Sequence, residues 1–220
     1  IKIEDLEEIY PKASKLYQQD KEFKSLAQNI NKELNENKDD LIKNWEFLKE
    51  ISVKAIKETL SLLGHNFDLW MGESDVNTLI PKMIADLKEN EKISLDDGAY
   101  ISNLETDPRI LITKSDGSYL YLTTDLATVL NRKKEYKVDK TLYIVDKRQK
   151  LHFEQLFDSI KYFKFGEEEY THVEFGTIND LNGNPFKTRE GDTKKLKDLF
   201  EETLSKIQSI NEDLDEETNK

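Results

Sequence analysis

Along the first third of the chain, apolar residues recur at helical spacing: Leu48, Ile51, Ala55, Ile56 and Leu60 fall on one face, separated by Lys and Glu. That period predicts a helical segment over residues 1–64, stopped by Gly64, whose tolerance of left-handed backbone suits a helix C-terminus. Beyond it the pattern changes. A helical period over 77–89 is followed by short runs that predict strands over 99–102 and 110–113, a turn at Ser115-Asp116-Gly117, and the alternating Tyr119-Leu120-Tyr121-Leu122. Alternation after a Gly-containing turn predicts a β-hairpin in which Tyr119 and Tyr121 share a strand face. The run Met71-Gly72-Glu73-Ser74 reads as a turn into the first of these helices, with Ser74 or Asp75 as its N-cap.

From Thr123 onward the period alternates between 3.6 and 2. It predicts a helix over 125–133, a strand over 141–145, a helix over 151–163, a strand over 172–175, a loop, and a helix over 194–210. Strands alternating with helices pair in parallel through right-handed crossovers, so this part is an α/β arrangement. Ligands in such sheets meet the C-terminal ends of the strands. The segments Val145-Asp146-Lys147-Arg148-Gln149 and Phe175-Gly176-Thr177-Ile178-Asn179-Asp180-Leu181-Asn182-Gly183 therefore belong to the rim. The chain divides into a helical segment (1–64), an α/β part (65–210) and an acidic frayed tail (211–220).

Composition narrows the functions open to this fold. The 220 residues carry 33 basic and 45 acidic side chains, a net charge of -12, which disfavours a surface that binds nucleic acid throughout but leaves room for a local basic site. Arginine occurs only at 109, 132, 148 and 189, and the preference for Lys over Arg matches the bias of an AT-rich genome. Without cysteine there is neither a disulfide framework nor a thiolate metal site, and a reducing cytoplasm is the expected setting. No apolar run approaches the ~20 residues of a membrane span, and no signal or transit peptide opens the chain. A start at Ile1 in mid-pattern predicts a piece of a longer protein.

Several side chains have two uses open to them. Asp125 opens an apolar-periodic helix after two threonines, so it is either an N-terminal carboxylate stabilising the helix dipole or a group facing the rim. Tyr121 is either packing on a half-buried sheet or a rim residue. Gln149 and His152 flank the start of a helix just past a strand end, where a polar side chain caps the helix or lines a crevice. Residues 184–196, Asn-Pro-Phe-Lys-Thr-Arg-Glu-Gly-Asp-Thr-Lys-Lys-Leu, form a basic loop rich in donors on an acidic chain.

Taken in order, the segments FDLWMGES, KSDGSYLYLTTDLA, YIVDKRQKLHFEQ, HVEFGT and NGNPFKTREG closely resemble the catalytic core of bacterial arginyl-tRNA synthetases, and the likeness runs over essentially the whole chain. The resemblance implies the C-terminal half of a class I Rossmann-type nucleotide-binding fold, with a small parallel sheet, a β-hairpin and an N-terminal helical insertion. It implies activation of arginine by ATP, with Mg2+, and transfer of the arginyl group to tRNA. Tyr121, Asp125 and Gln149 stand where the family contacts substrate arginine, a planar cation that needs a carboxylate and neutral acceptors in its plane.

The same resemblance makes residues 185–191 a degenerate form of the class I KMSKS loop, which grips the triphosphate. It implies that Lys187, Thr188 and Arg189 act on the phosphates with the backbone near Gly191, and that His152, Phe175 and Gly176 border the adenosine. Glu190 replaces a second lysine found in some relatives. The other class I signature, HIGH, is not among these residues, since the histidines are His65, His152 and His172. The implied partners are arginine, ATP and tRNA(Arg). Without the partner strands, the stretch is expected to be inactive by itself and to self-associate through an exposed sheet edge. A stand-alone adenine-nucleotide-binding module, or a helical interaction module on the same fold, is the alternative.

Overall fold

The computed structural model describes residues 1–35, 38–176 and 196–210. It divides into two compact units, one formed by Ile1–Asp68 with Ile178–Lys220 and the other by Leu69–Thr177.

The first unit is helical. α1 (Ile3–Gln19), α2 (Lys21–Asn35) and α3 (Asp39–Leu62) pack on one another, and α7 (Leu196–Ile210) belongs to the same unit. As the periodicity predicts, α3 stops at the glycine. Gly64 takes a left-handed φ of 71°, its N–H donates to Ser61 O, and the N–H of His65 donates to Leu60 O, so the last carbonyls of α3 are satisfied. Neither α1 nor α3 contains a fully buried residue.

The second unit holds the core. A 3-10 turn (Glu73–Leu79) leads into α4 (Ile80–Glu89), whose Ile80, Met83, Ile84 and Leu87 are buried at the i, i+3, i+4, i+7 spacing of one helix face. α5 (Tyr121–Glu135) contributes Leu122, Leu126, Ala127 and Val129, and α6 (Lys150–Phe163) contributes Phe153, Leu156, Ile160 and Phe163. Val76 from the 3-10 turn, and Ile93, Ile110 and Ile112 from the segment between α4 and α5, complete this cluster.

β3 (Lys140–Asp146) and β4 (Glu169–Phe175) pair in parallel, with Lys140 opposite Glu169 and Asp146 opposite Phe175, and α6 is the crossover between them. This is the expected parallel unit, and β4 starts three residues earlier than the local pattern indicates. Tyr143, Val145 and Tyr170 pack against the core, whereas Leu142, Ile144, Val173 and Phe175 are exposed. The alternation along both strands leaves an uncovered apolar face.

The hairpin lies elsewhere than the sequence predicts. β1 (Ile93–Asp96) and β2 (Ala99–Ser102) pair antiparallel around Asp97-Gly98, both with positive φ (45° and 79°), the backbone that a two-residue turn matched to strand twist requires. Residues 110–113 are not a full strand: the N–H groups of both Ile112 and Thr113 donate to Tyr100 O, and the Tyr100 N–H donates to the Thr113 hydroxyl oxygen. Two residues facing one carbonyl interrupt the ladder, leaving single bridges Ile101–Leu111 and Thr113–Tyr119.

Nor is 119–122 a strand. Leu120 is the extended N-cap of α5, and Tyr121 is already helical, because Leu122, Leu126 and Val129 extend a helical period that outweighs four alternating residues. Thr123, fully buried, donates its hydroxyl hydrogen to Ile112 O and ties the start of α5 to the preceding segment. At 71–75 neither Ser74 nor Asp75 is an N-cap. Gly72 is, and the Asp75 carboxylate reaches back to accept from the Gly72 N–H at 2.8 Å.

Candidate active site at the C-terminal strand ends

α5 brings Tyr121 and Asp125 onto one face, because residues four apart are neighbours on a helix. The expectation that Asp125 caps the helix fails, since it is the fifth residue of α5 and lies beyond the first turn. Its carboxylate points away from the helix backbone to His152, with Oδ2 2.7 Å from Nε2. Both side chains are partly buried, Asp125 32% and His152 24% exposed, so their hydrogen bond is shielded from bulk water without being sealed off. Tyr121 is 71% exposed, which removes the packing use and leaves its phenol at the surface beside Asp125.

The other half of the rim follows from the end of β3. Asp146, its last residue, caps a 3-10 turn over Lys147–Gln149: one carboxylate oxygen accepts from the Arg148 N–H at 2.8 Å. The same carboxylate holds the Arg148 guanidinium at two points, Nε at 3.0 Å and Nη2 at 2.9 Å. Gln149 ends that turn as the N-cap residue of α6, exposed and with no side-chain capping bond, so its amide is not spent on the helix terminus. One turn later on α6 comes His152. Phe175 and Gly176 close the rim at the end of β4, both exposed, and a Cβ added at Gly176 would meet nothing within 4 Å.

An aromatic layer supports this edge from below. The Phe153 ring lies 5.0 Å from Tyr143 and 4.5 Å from His172, and His152 meets Phe153 edge-on at 5.2 Å. Nε2 of His172 is 3.0 Å from Val145 O, fastening the two strands near their C-terminal ends. Burial pushes the Tyr143 phenol above its ordinary range, with the Arg132 guanidinium pulling it down and the Asp125 carboxylate adding to the rise. Tyr143 is therefore a neutral packing group at the site's floor.

Tyr121, Asp125, His152 and Gln149 thus come from two adjacent helix starts, and α5 and α6 are in contact. Two features are absent from the sequence expectations. The bond of Asp125 to His152 spans 27 residues. The Asp146–Arg148 clamp had a signal, an aspartate at a strand end two residues before an arginine, which is the spacing of a capped turn. Lys187, Thr188, Arg189, Glu190 and Gly191 lie outside the described residues. Among the described residues, no group of three His, Asp or Glu side chains could hold a metal ion, and no helix is long and apolar enough to cross a membrane.

Comparison with known proteins gives this rim its context. The family profile described as tRNA synthetases class I (R), catalytic domain, matches residues 1–220. An arginine–tRNA ligase of Alkaliphilus oremlandii is 42% identical over 207 residues, which is 90% of this chain and 35% of that protein. One from Francisella tularensis subsp. holarctica is 40% identical over 204 residues, covering 91% of this chain and again 35% of the relative. The chain therefore spans about a third of the length of these curated relatives. The crystal structure of Plasmodium falciparum arginyl-tRNA synthetase superposes with a TM-score of 0.67 at 25% identity, over 91% of this chain and 35% of that one. The chain belongs to the class I arginyl-tRNA synthetase family, within its catalytic domain.

Proposed function

We propose that this chain supplies the arginine-recognition side and the phosphate loop of an arginyl-tRNA synthetase that forms arginyl-adenylate and passes the arginyl group to tRNA(Arg). The observation that carries the proposal is the Asp125 carboxylate. It is engaged by His152 through one oxygen, lies one helical turn from the exposed Tyr121, and is joined through His152 to α6, the helix whose N-cap residue is Gln149. A guanidinium presents several N–H donors in one plane, so a carboxylate with flanking phenol and amide oxygens can satisfy it where a lysine ammonium would leave acceptors unpaired.

In the activation step the arginine carboxylate attacks the α-phosphorus of ATP. A carboxylate-oxygen-to-phosphorus bond forms, the bond from that phosphorus to the β-phosphate oxygen breaks, and pyrophosphate leaves. Asp125, Tyr121 and Gln149 hold the side chain so that the carboxylate meets the phosphorus, a positioning effect. Phe175 and Gly176 offer an apolar ring and an unobstructed backbone to the adenosine. Lys187 and Arg189, with Thr188 and the backbone near Gly191, neutralise the phosphate oxygens as charge moves toward the leaving pyrophosphate. Mg2+ belongs to this reading as an ion carried by the triphosphate. The uncovered apolar face of β3 and β4 supports self-association with a second copy when no other chain segment covers it.

Pyrophosphate exchange into ATP, measured on the full-length protein with tRNA present, tests the proposal. Exchange is expected with arginine and not with lysine, and residues 1–220 alone are expected to give none, because the HIGH histidines are not among them. Equal exchange with lysine, or exchange by these residues alone at the full-length rate, would overturn the reading.

A further inference from the structure

We propose that His152 is a positioning residue for arginine, one that fixes the Asp125 carboxylate from the neighbouring helix, and that it does not serve the nucleotide. This inference rests on the arginine-site reading above and deepens it.

A carboxylate on a helix surface has two side-chain torsions to settle, and an exposed one samples several rotamers. Asp125 is held by a partner outside its own helix: Nε2 of His152 donates to Oδ2 at 2.7 Å, and among the described residues this is the only hydrogen bond the carboxylate makes. A carboxylate oxygen can only accept, so Nε2 carries the hydrogen of this bond, and Asp125 keeps Oδ1 and the remaining lone pairs for an incoming donor. The imidazole is in turn fixed by its edge-on contact with Phe153, which is 5% exposed and packed against Tyr143 and His172. A chain of contacts thus runs from the core through Phe153 and His152 to Asp125. A pre-ordered acceptor avoids part of the entropy cost that a mobile one incurs on binding. Nε2 is committed to the carboxylate and is not open to the nucleotide.

The test uses the full-length protein, with the dissociation constants for arginine and for ATP measured by calorimetry alongside thermal melting. His152→Ala should weaken arginine binding by about ten-fold, the size of one hydrogen bond to a charged group, and leave ATP binding unchanged. His152→Gln should restore most of the affinity, since the glutamine amide nitrogen takes the position of Nε2, whereas His152→Asn is too short to do so. In an Asp125→Asn background, His152→Ala should cause little further loss, because the two residues act as one unit.

If His152→Ala does not fold, the Gln and Asn variants carry the comparison, and equal arginine affinities in the two would overturn the inference. Weakened ATP binding with unchanged arginine binding in His152→Ala, or full additivity with Asp125→Asn, would also overturn it. If Asp125→Asn weakens arginine binding and His152→Ala does not, only this inference falls. If Asp125→Asn has no effect either, the arginine-site reading falls and this one with it.

Discussion

Replacing Asp125 by asparagine in the full-length protein is expected to weaken arginine binding by about 2 to 4 kcal/mol, roughly thirty-fold to nearly a thousand-fold, while leaving the fold intact. The size follows from the chemistry of the pair. A guanidinium drawn out of water needs a formal negative charge opposite it, and the asparagine amide supplies one neutral acceptor and, on its other side, two donors that face the ligand's own donors. The fold should tolerate the change, because Asp125 is not in the buried core and does not cap α5. Its His152 bond survives through the asparagine oxygen. The check is the arginine dissociation constant beside a circular-dichroism melt. Unchanged affinity would reduce Asp125 to a tie between two helices.

A second large effect is expected at the phosphate loop. Lys187→Gln and Arg189→Gln should each lower the turnover for arginine activation by about a hundred-fold, with a much smaller rise in the Michaelis constant for ATP. The asymmetry arises because negative charge accumulates on the departing pyrophosphate during the reaction, so a cation that meets it then stabilises the transition state more than bound ATP. Glu190 directly follows Arg189 in sequence and adds an opposing charge, which makes each remaining cation harder to spare. Steady-state exchange kinetics with saturating arginine read both constants. A loss confined to ATP binding, with turnover unchanged, would make the loop a ground-state clamp.

How far the sequence alone carries is clearest in the β3–α6–β4 unit. Its parallel pairing was legible because each element has a strong period of its own and the strands are separated by a helix-length stretch. The hairpin was misplaced for a reason of the same kind. Two turn signals compete, Asp97-Gly98 and Ser115-Asp116-Gly117, and only the first is flanked by segments that can form four paired residues on each side. After Gly117 the chain has four residues of alternation before the helical period takes over, too few to hold a strand against a fifteen-residue helix.

The candidate site is legible in the sequence through its residue types and partly through its location. Asp125, Gln149 and His152 stand at helix starts beside a strand end, and that follows from element order. What local pattern could not supply was the direction in which each side chain points. An aspartate directly after paired threonines has the local appearance of a cap, and only the packing of α5 on α6 turns it to a histidine 27 positions away. Alternation places Tyr121 on a strand face, whereas it is helical, four residues before Asp125 on the same face. The Asp146–Arg148 clamp, which shapes the turn that carries Gln149, is local in sequence and accessible to the same reasoning.

The measurement that bears most directly on the arginine site is a crystal structure of the full-length protein with arginine bound. The guanidinium is expected within hydrogen-bond distance of the Asp125 carboxylate, with the Tyr121 hydroxyl and the Gln149 amide oxygen beside it, and the Asp125–His152 bond retained. Arginine bound elsewhere, with Asp125 still touching only His152, would contradict the assignment.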